Sequence, residues 1–215
     1  MGIGLALVAA AIIGIATTTL RNAAIEDATI NAESIARAHA SEIKAEIELA
    51  LDASRTVAQT LEAIKDPDAP ISLTREQVNA MLKRLLEGNP NFVGTYTLWE
   101  PNQFDGRDAE YVNSPAHDET GRFIPYWVRD DNGNAVVEAL LEYETPGLGD
   151  WYLLPKNTQQ EQVLDPFLYP ILGKDVLMSS LVVPIVVDGQ FYGIAGIDML
   201  ASRLQNFADD ELIYG

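Results

Sequence analysis

Acidic and aromatic side chains are interleaved along residues 142–199. Asp150-Trp151-Tyr152 follows Gly147-Leu148-Gly149, and Asp198 closes the apolar run Gly193-Ile194-Ala195-Gly196-Ile197. An aromatic face attracts a cation through its quadrupole, so a box of Trp and Tyr with a carboxylate suits an alkylammonium ion. Trp151 and Tyr152 are candidate walls, with Tyr126, Trp127, Tyr96 and Trp99 as further ones, and Asp150 and Asp198 are candidate counter-charges. The competing reading is structural: strand Trp and Tyr more often pack a core, and Asp198 also reads as a cap or turn residue. If residues 150–152 are extended, Asp150 and Tyr152 share one face and Trp151 points to the other, so only a subset lines one pocket.

Other chemistries find little support. There is no Ser/His/Asp set, phosphate-binding Gly loop, HExxH motif or dinucleotide fingerprint. The histidines are His39 and His117 alone, and cysteine is absent. No histidine-rich metal site, disulfide framework or thiol nucleophile is therefore available. Neither catalysis, a metal nor a cofactor is expected. Lys and Arg number 14 against 32 Asp and Glu, a net charge of −18. That balance argues against nucleic acid, which needs a basic face, and suits attraction of cations.

The elements that position these residues read in order. Residues 1–21 carry no charge before Arg21 and are long enough, at about 1.5 Å per residue, to span a bilayer. A cleaved signal peptide competes, but the basic n-region it needs is missing. Residues 22–65 contain no Pro or Gly, and Ile43, Ile47, Ala50, Val57, Leu61 and Ile64 recur at helical spacing. That pattern predicts a stalk helix, packed on its own domain or on a second copy. Pro67 and Pro70 stop it. Thr74 with Gln77 forms a capping-box pattern ahead of a second helix with the stripe Val78, Met81, Leu82, Leu85 and Leu86. Strands are predicted at 92–99 and 122–129, while 135–143 reads equally as strand or short helix. The clearest pair is 175–187 and 190–199 around Asp188-Gly189, a strong hairpin signal. The expected class is α+β: a long N-terminal helix, then an antiparallel sheet with flanking helices.

Several stretches resemble the double-Cache sensor domains of bacterial methyl-accepting chemotaxis receptors: Asp150-Trp151-Tyr152-Leu153-Leu154-Pro155, residues 173–180, Val183-Pro184-Ile185 and Gly193-Ile194-Ala195-Gly196-Ile197-Asp198. The resemblance implies a PAS-like, membrane-distal Cache module whose pocket takes a small solute, and a homodimer through the long helix. It organises the chain as a membrane helix (1–21), a stalk (22–66), a ligand-binding module (67–200) and a link toward a proximal module (201–215). Amino-acid-sensing members carry a Tyr, an Arg five residues on and Trp-Tyr two further. Here Glu144 and Gly149 occupy the first two positions, while Trp151-Tyr152 match the pair. Loss of the arginine that grips a carboxylate disfavours a standard α-amino acid. Asp198 matches the residue that binds the ligand's ammonium group, and Tyr169 falls where amino-acid sensors tend to have an Asp, adding an aromatic wall.

The expectation is therefore a membrane-anchored sensor in the bacterial inner membrane, its domain periplasmic or extracellular, binding an amine or quaternary ammonium compound through Tyr96, Trp99, Tyr126, Trp127, Asp150, Trp151, Tyr152, Tyr169 and Asp198. The alternatives are an amino-acid sensor, the same fold on a histidine kinase or cyclase, and a structural module without a ligand.

Overall fold

A computed structural model describes residues 2–68 and 70–202, without the side chains of residues 2–9 and 11. The described residues fall into two compact units, 2–44 and 45–202. Both contain part of one long helix, α1 (Gly2–Glu62). In the first unit the helix exposes Ile12, Ile13, Ile15, Leu20, Ile25 and Ile30. Its Thr17, Thr29 and Ser41 hydroxyls donate to carbonyls one turn back, at Ile13, Ile25 and Arg37. Among the described residues no helix is long and apolar enough to cross a membrane. The span expected over 1–21 falls partly on side chains outside those residues, as does nearly all of the link expected over 201–215.

In the second unit, α1 packs through the stripe read from the sequence. Ala50, Val57, Ala58 and Leu61 are buried, with Ile47 and Ile64 against them. Ser54, on the same face, donates to the Leu181 carbonyl at 2.9 Å. The helix ends at Glu62, a few residues before the prolines, because the chain tightens there: Ile64 N–H bonds Leu61 and Lys65 N–H bonds Glu62. Helix α2 (Arg75–Gly88) starts on the predicted box, with Gln77 N–H donating to Thr74 Oγ1 at 3.2 Å and Thr74 N–H to Gln77 Oε1 at 2.8 Å. Val78, Leu82 and Leu86 form its buried stripe.

Among the described residues seven antiparallel strands follow: β1 (Phe92–Trp99), β2 (Pro125–Arg129), β3 (Ala135–Ala139), β4 (Gln162–Val163), β5 (Phe167–Ile171), β6 (Lys174–Val187) and β7 (Gln190–Leu200). Their order is β3-β2-β1-β7-β6-β4, with β5 also on β6. The β6–β7 hairpin turns at Asp188-Gly189 as predicted, both with positive φ. β2 begins at Pro125 rather than residue 122, and the ambiguous 135–143 contributes β3. The segment 150–152 is not extended: it opens a helix, α3 (Asp150–Thr158).

One sheet face, with Trp99, Trp127, Ala195, Ile197, Leu181 and Ile185, packs on α1 and α2. The other, with Tyr96, Tyr126, Val128, Met178, Val182 and Ile194, packs on α3 and β5. Between β1 and β2 runs a long insertion, anchored by buried Arg75. Its guanidinium bonds Asp105 and Asp108, each at 2.6 Å, and the Gly121 carbonyl at 2.9 Å. It also lies 4.3 Å from the centre of the Tyr111 ring.

Candidate ligand-binding site

The site is built on the second sheet face by strand register. Tyr126, Tyr96, Gly196 and Val182 lie in one row across β2, β1, β7 and β6. Val128, Gly94, Asp198 and Ser180 lie in the next. Opposed residues in an antiparallel pair share a face, so both rows look toward α3. The two glycines make the room. A Cβ on Gly196 would sit 2.4 Å from the Tyr96 hydroxyl, and one on Gly94 2.7 Å from that of Tyr126. Each tyrosine leans across a glycine, which brings both beside Asp198.

Two further rings close the arrangement. β5 contributes Tyr169, whose hydroxyl bonds the N–H (2.8 Å) and carbonyl (3.2 Å) of Leu141. Helix α3 contributes Trp151. Tyr96, Tyr126, Tyr169 and Trp151 then form a closed circuit of edge-to-face contacts. Their centroid separations are 5.8 Å (Tyr96–Tyr126), 5.7 Å (Tyr126–Tyr169), 5.9 Å (Tyr169–Trp151) and 5.6 Å (Trp151–Tyr96). All four rings are at most 3% exposed. Tyr96, Trp151 and Tyr169, with Leu140, Met178, Ser180 and Asp198, line a space of about 140 Å³; Tyr126 is not in that lining and meets it through its bond to Asp198. In this conformation the walls stand too close to admit a water molecule.

Asp198 is the polar centre. It is 1% exposed. Tyr126 Oη donates to its Oδ2 at 2.7 Å, and Ser180 Oγ donates to Oδ1. Two hydroxyls favour the charged form, but burial outweighs them and pushes the carboxyl up to about 7. Burial and the neighbouring acid also push the Tyr96 and Tyr126 hydroxyls well above the ordinary tyrosine range. The Tyr96 hydroxyl and the Trp151 indole N–H are buried without a hydrogen-bond partner among the described residues. Buried polar groups are ordinarily paired, and Ser180 is the hydroxyl that acts on Tyr96 here.

The expected site residues separate into those the fold assembles and those it does not. Tyr96, Tyr126, Trp151, Tyr169 and Asp198 meet in the cage. Trp99 and Trp127 do not, because alternation along β1 and β2 turns them to the opposite face. Trp99 stacks edge-on with Phe104 at 5.0 Å, and Trp127 Nε1 donates to Asn79 at 2.8 Å. Tyr152 is also elsewhere: one helical step is about 100°, so it turns away from Trp151 into a polar cluster. There its hydroxyl donates to Glu100 and accepts from Arg122 at 2.7 Å and Lys156 at 2.8 Å. Asp150 stands outside the cage, with Trp151 between it and the interior. Its Oδ1 accepts from Gly147 N–H at 2.9 Å, favourable at a helix start. It lines an open groove of about 640 Å³ with Trp151, Asp165 and Phe167. Ser180, Gly94 and Gly196 were not anticipated. An isolated strand glycine, which often marks a close approach, was the available signal for the last two.

Gly149, the position that the resemblance equates with an arginine, is tightly enclosed. A Cβ there would lie 2.4 Å from the Glu142 carbonyl oxygen and 2.6 Å from that of Tyr143. The loop leaves no room for a side chain at that position. Among the described residues no cluster of His, Cys, Asp or Glu could hold a metal ion.

Comparison with known proteins decides the family. Residues 78–206 match the family described as methyl-accepting chemotaxis protein-like, first PDC sensor domain. The chain belongs to this family. The PDC domain is 32% identical to methyl-accepting chemotaxis protein TlpQ of Pseudomonas aeruginosa over 146 residues, 63% of this chain and 20% of that protein. Among solved structures, it is similar to the extracellular domain of the putative histidine kinase mmHK1S-Z3, at 39% identity and TM-score 0.65, covering 79% of this chain and 56% of that one. It is also similar to methyl-accepting chemotaxis protein X, at 26% identity and TM-score 0.70, covering 85% of this chain and 65% of that one. The chain thus spans about a fifth of its curated relative and 56% of that extracellular domain. Long helix, sheet and flanking helices agree with a PDC/Cache sensor of the kind that chemoreceptors and histidine kinases carry.

Proposed function

We propose that this PDC domain senses a small organic cation, an amine or quaternary ammonium compound, outside the cell. The cation sits among Tyr96, Tyr126, Trp151 and Tyr169 with Asp198 as its counter-charge. One observation carries the reading: four mutually touching aromatic rings stand beside a buried acid that has hydroxyl partners, and the cavity it shares with Tyr96, Trp151 and Tyr169 has no Lys, Arg or His in its lining. A desolvated cation against such faces gains about 2 kcal/mol or more per good contact. A buried acid opposite a guest cation completes a pair that the protein alone leaves unfinished. The closed packing at Gly149 supports the departure from amino-acid sensing.

The walls stand too close for a guest of several heavy atoms, so binding displaces at least one of them. Trp151 is the wall shared with the outer groove of Asp150 and Asp165, and its movement opens the cage to solvent. That shift passes through the hairpin to β6 and to α1, where Ser54 bonds Leu181. Output is a small population change between two packings of the long helix in a membrane-anchored dimer. The 39% identity to the extracellular domain of a histidine kinase equally supports a kinase as the attached output.

The test is thermal unfolding of the domain against choline, alkylamines, amino acids and organic acids. Stabilisation by cations that is lost in Trp151→Ala and Asp198→Asn is expected. Stabilisation by carboxylates alone overturns the ligand class.

A further inference from the structure

We propose that the cage is also a proton site: in the ligand-free domain Asp198 holds a proton, and an arriving organic cation displaces it to solvent. This rests on the cation reading of the same cage and extends it, since proton and guest then compete for one carboxylate. The geometry argues for it. The residues that line the cavity with Asp198 or bond it are uncharged near neutral pH: Tyr96 from β1, Tyr126 from β2, Tyr169 from β5, Met178 and Ser180 from β6, Trp151 from α3 and Leu140 from the loop before it. All three tyrosines are pushed above their ordinary range, so none takes up the charge. The neighbouring cations are committed elsewhere, with Arg122 and Lys156 both bound to Glu100 and Tyr152. Glu138 on β3 acts on Tyr169 from outside and accepts from Leu172 N–H at 3.2 Å.

An isolated buried carboxylate is costly, and such a group neutralises itself instead. Asp198 is balanced at that point, since burial raises it to about 7. The Tyr96 hydroxyl stands in the same cage, near enough to Asp198 for the acid's charge to push it up. On binding, the carboxyl O–H bond breaks, its proton passes to buffer, and the carboxylate keeps the hydrogen bonds from Tyr126 and Ser180. The guest's charge then replaces the proton's.

Calorimetric titration of the domain with choline and with butylammonium tests this, since both keep a fixed charge from about pH 5.5 to 8.5. Repeating each titration in buffers of different ionisation enthalpy counts protons. A fraction of a proton, up to one, is released per cation bound near pH 7. Affinity rises about tenfold per pH unit up to about pH 7 and flattens above it. Ser180→Ala, which removes a donor to the charged form, moves that midpoint to higher pH. Binding with no proton released and a flat affinity overturns the proposal while leaving the cation reading intact. If neither probe binds, the cation reading fails, and infrared difference spectra of the ligand-free domain judge the proton site separately. A protonated carboxyl band at pH 6 that is lost at pH 9 and missing in Asp198→Asn upholds it, and its absence refutes it.

Discussion

The sheet buries an ionisable group on each of its faces, and the two are treated in opposite ways. On the α1–α2 side, Arg75 is 2% exposed and fully answered, by Asp105, Asp108, the Gly121 carbonyl and the Tyr111 face. On the α3 side, Asp198 is 1% exposed and meets two hydroxyls and a ring of aromatics, with no opposite charge. The first is a closed ion cluster whose purpose is to pin the long β1–β2 insertion. The second is half of a pair. A buried ionisable group that the protein pairs itself is architecture, and one that it leaves without an opposite charge points to a guest.

The comparison can be broken at its strongest point. Arg75→Ala strands two carboxylates and is expected to cost about 3–5 kcal/mol in denaturant unfolding, with cation binding retained wherever the variant remains folded. Asp198→Asn acts in the opposite direction. The folded carboxyl sits at about 7 against an ordinary 3.8. Below about pH 4 both states hold the proton and nothing changes. As pH rises from about 4 to 7 the unfolded chain ionises first, so the native state loses stability, and above 7 the loss is complete. Replacing the acid therefore stabilises the domain by about 2–4 kcal/mol at pH 8 and by almost nothing at pH 4, while abolishing cation binding. Equal stability changes at both pH values would remove the contrast between the faces.

Smaller effects sharpen it. Gly196→Ala drives a methyl into Tyr96 and is expected to weaken cation binding at least tenfold, about 1.4 kcal/mol, in calorimetry. Asp150→Asn, on the groove side of Trp151, is expected to change affinity about threefold or less, through the long-range field alone. An effect of Asp150 as large as that of Asp198 would move the guest from the cage to the groove.

Most of the framework was legible in the sequence, and the reasons are local. The Thr74–Gln77 box, the Asp188-Gly189 turn and the aromatic run 92–99 carry their structure in adjacent residues. Parity along a strand already separates Tyr126 from Trp127, and Tyr96 from Trp99, so two of the misplaced residues were readable by a rule that needs no structure. Ser180 was not. Counting back from the two-residue turn pairs Asp198 with Ser179, and a register shift between Ile185 and Val186 moves the partner to Ser180. Nor was α3: nine residues containing Pro155 show too little period to distinguish helix from strand. The extended reading also separates Trp151 from Tyr152, but it groups Asp150 with Tyr152, which the helix sends to different partners. The Arg75 cluster joins residues some 30 positions apart, and no local pattern announces such a pairing.

The most direct measurement is a crystal structure of the domain with choline or butylammonium bound. The account predicts the cationic nitrogen within about 6 Å of the Tyr96, Tyr126, Trp151 and Tyr169 ring centres, facing an Asp198 that keeps its bonds to Tyr126 and Ser180. A cation lodged in the Asp150 groove with the four rings still in contact, or a bound carboxylate inside the cage, would contradict it.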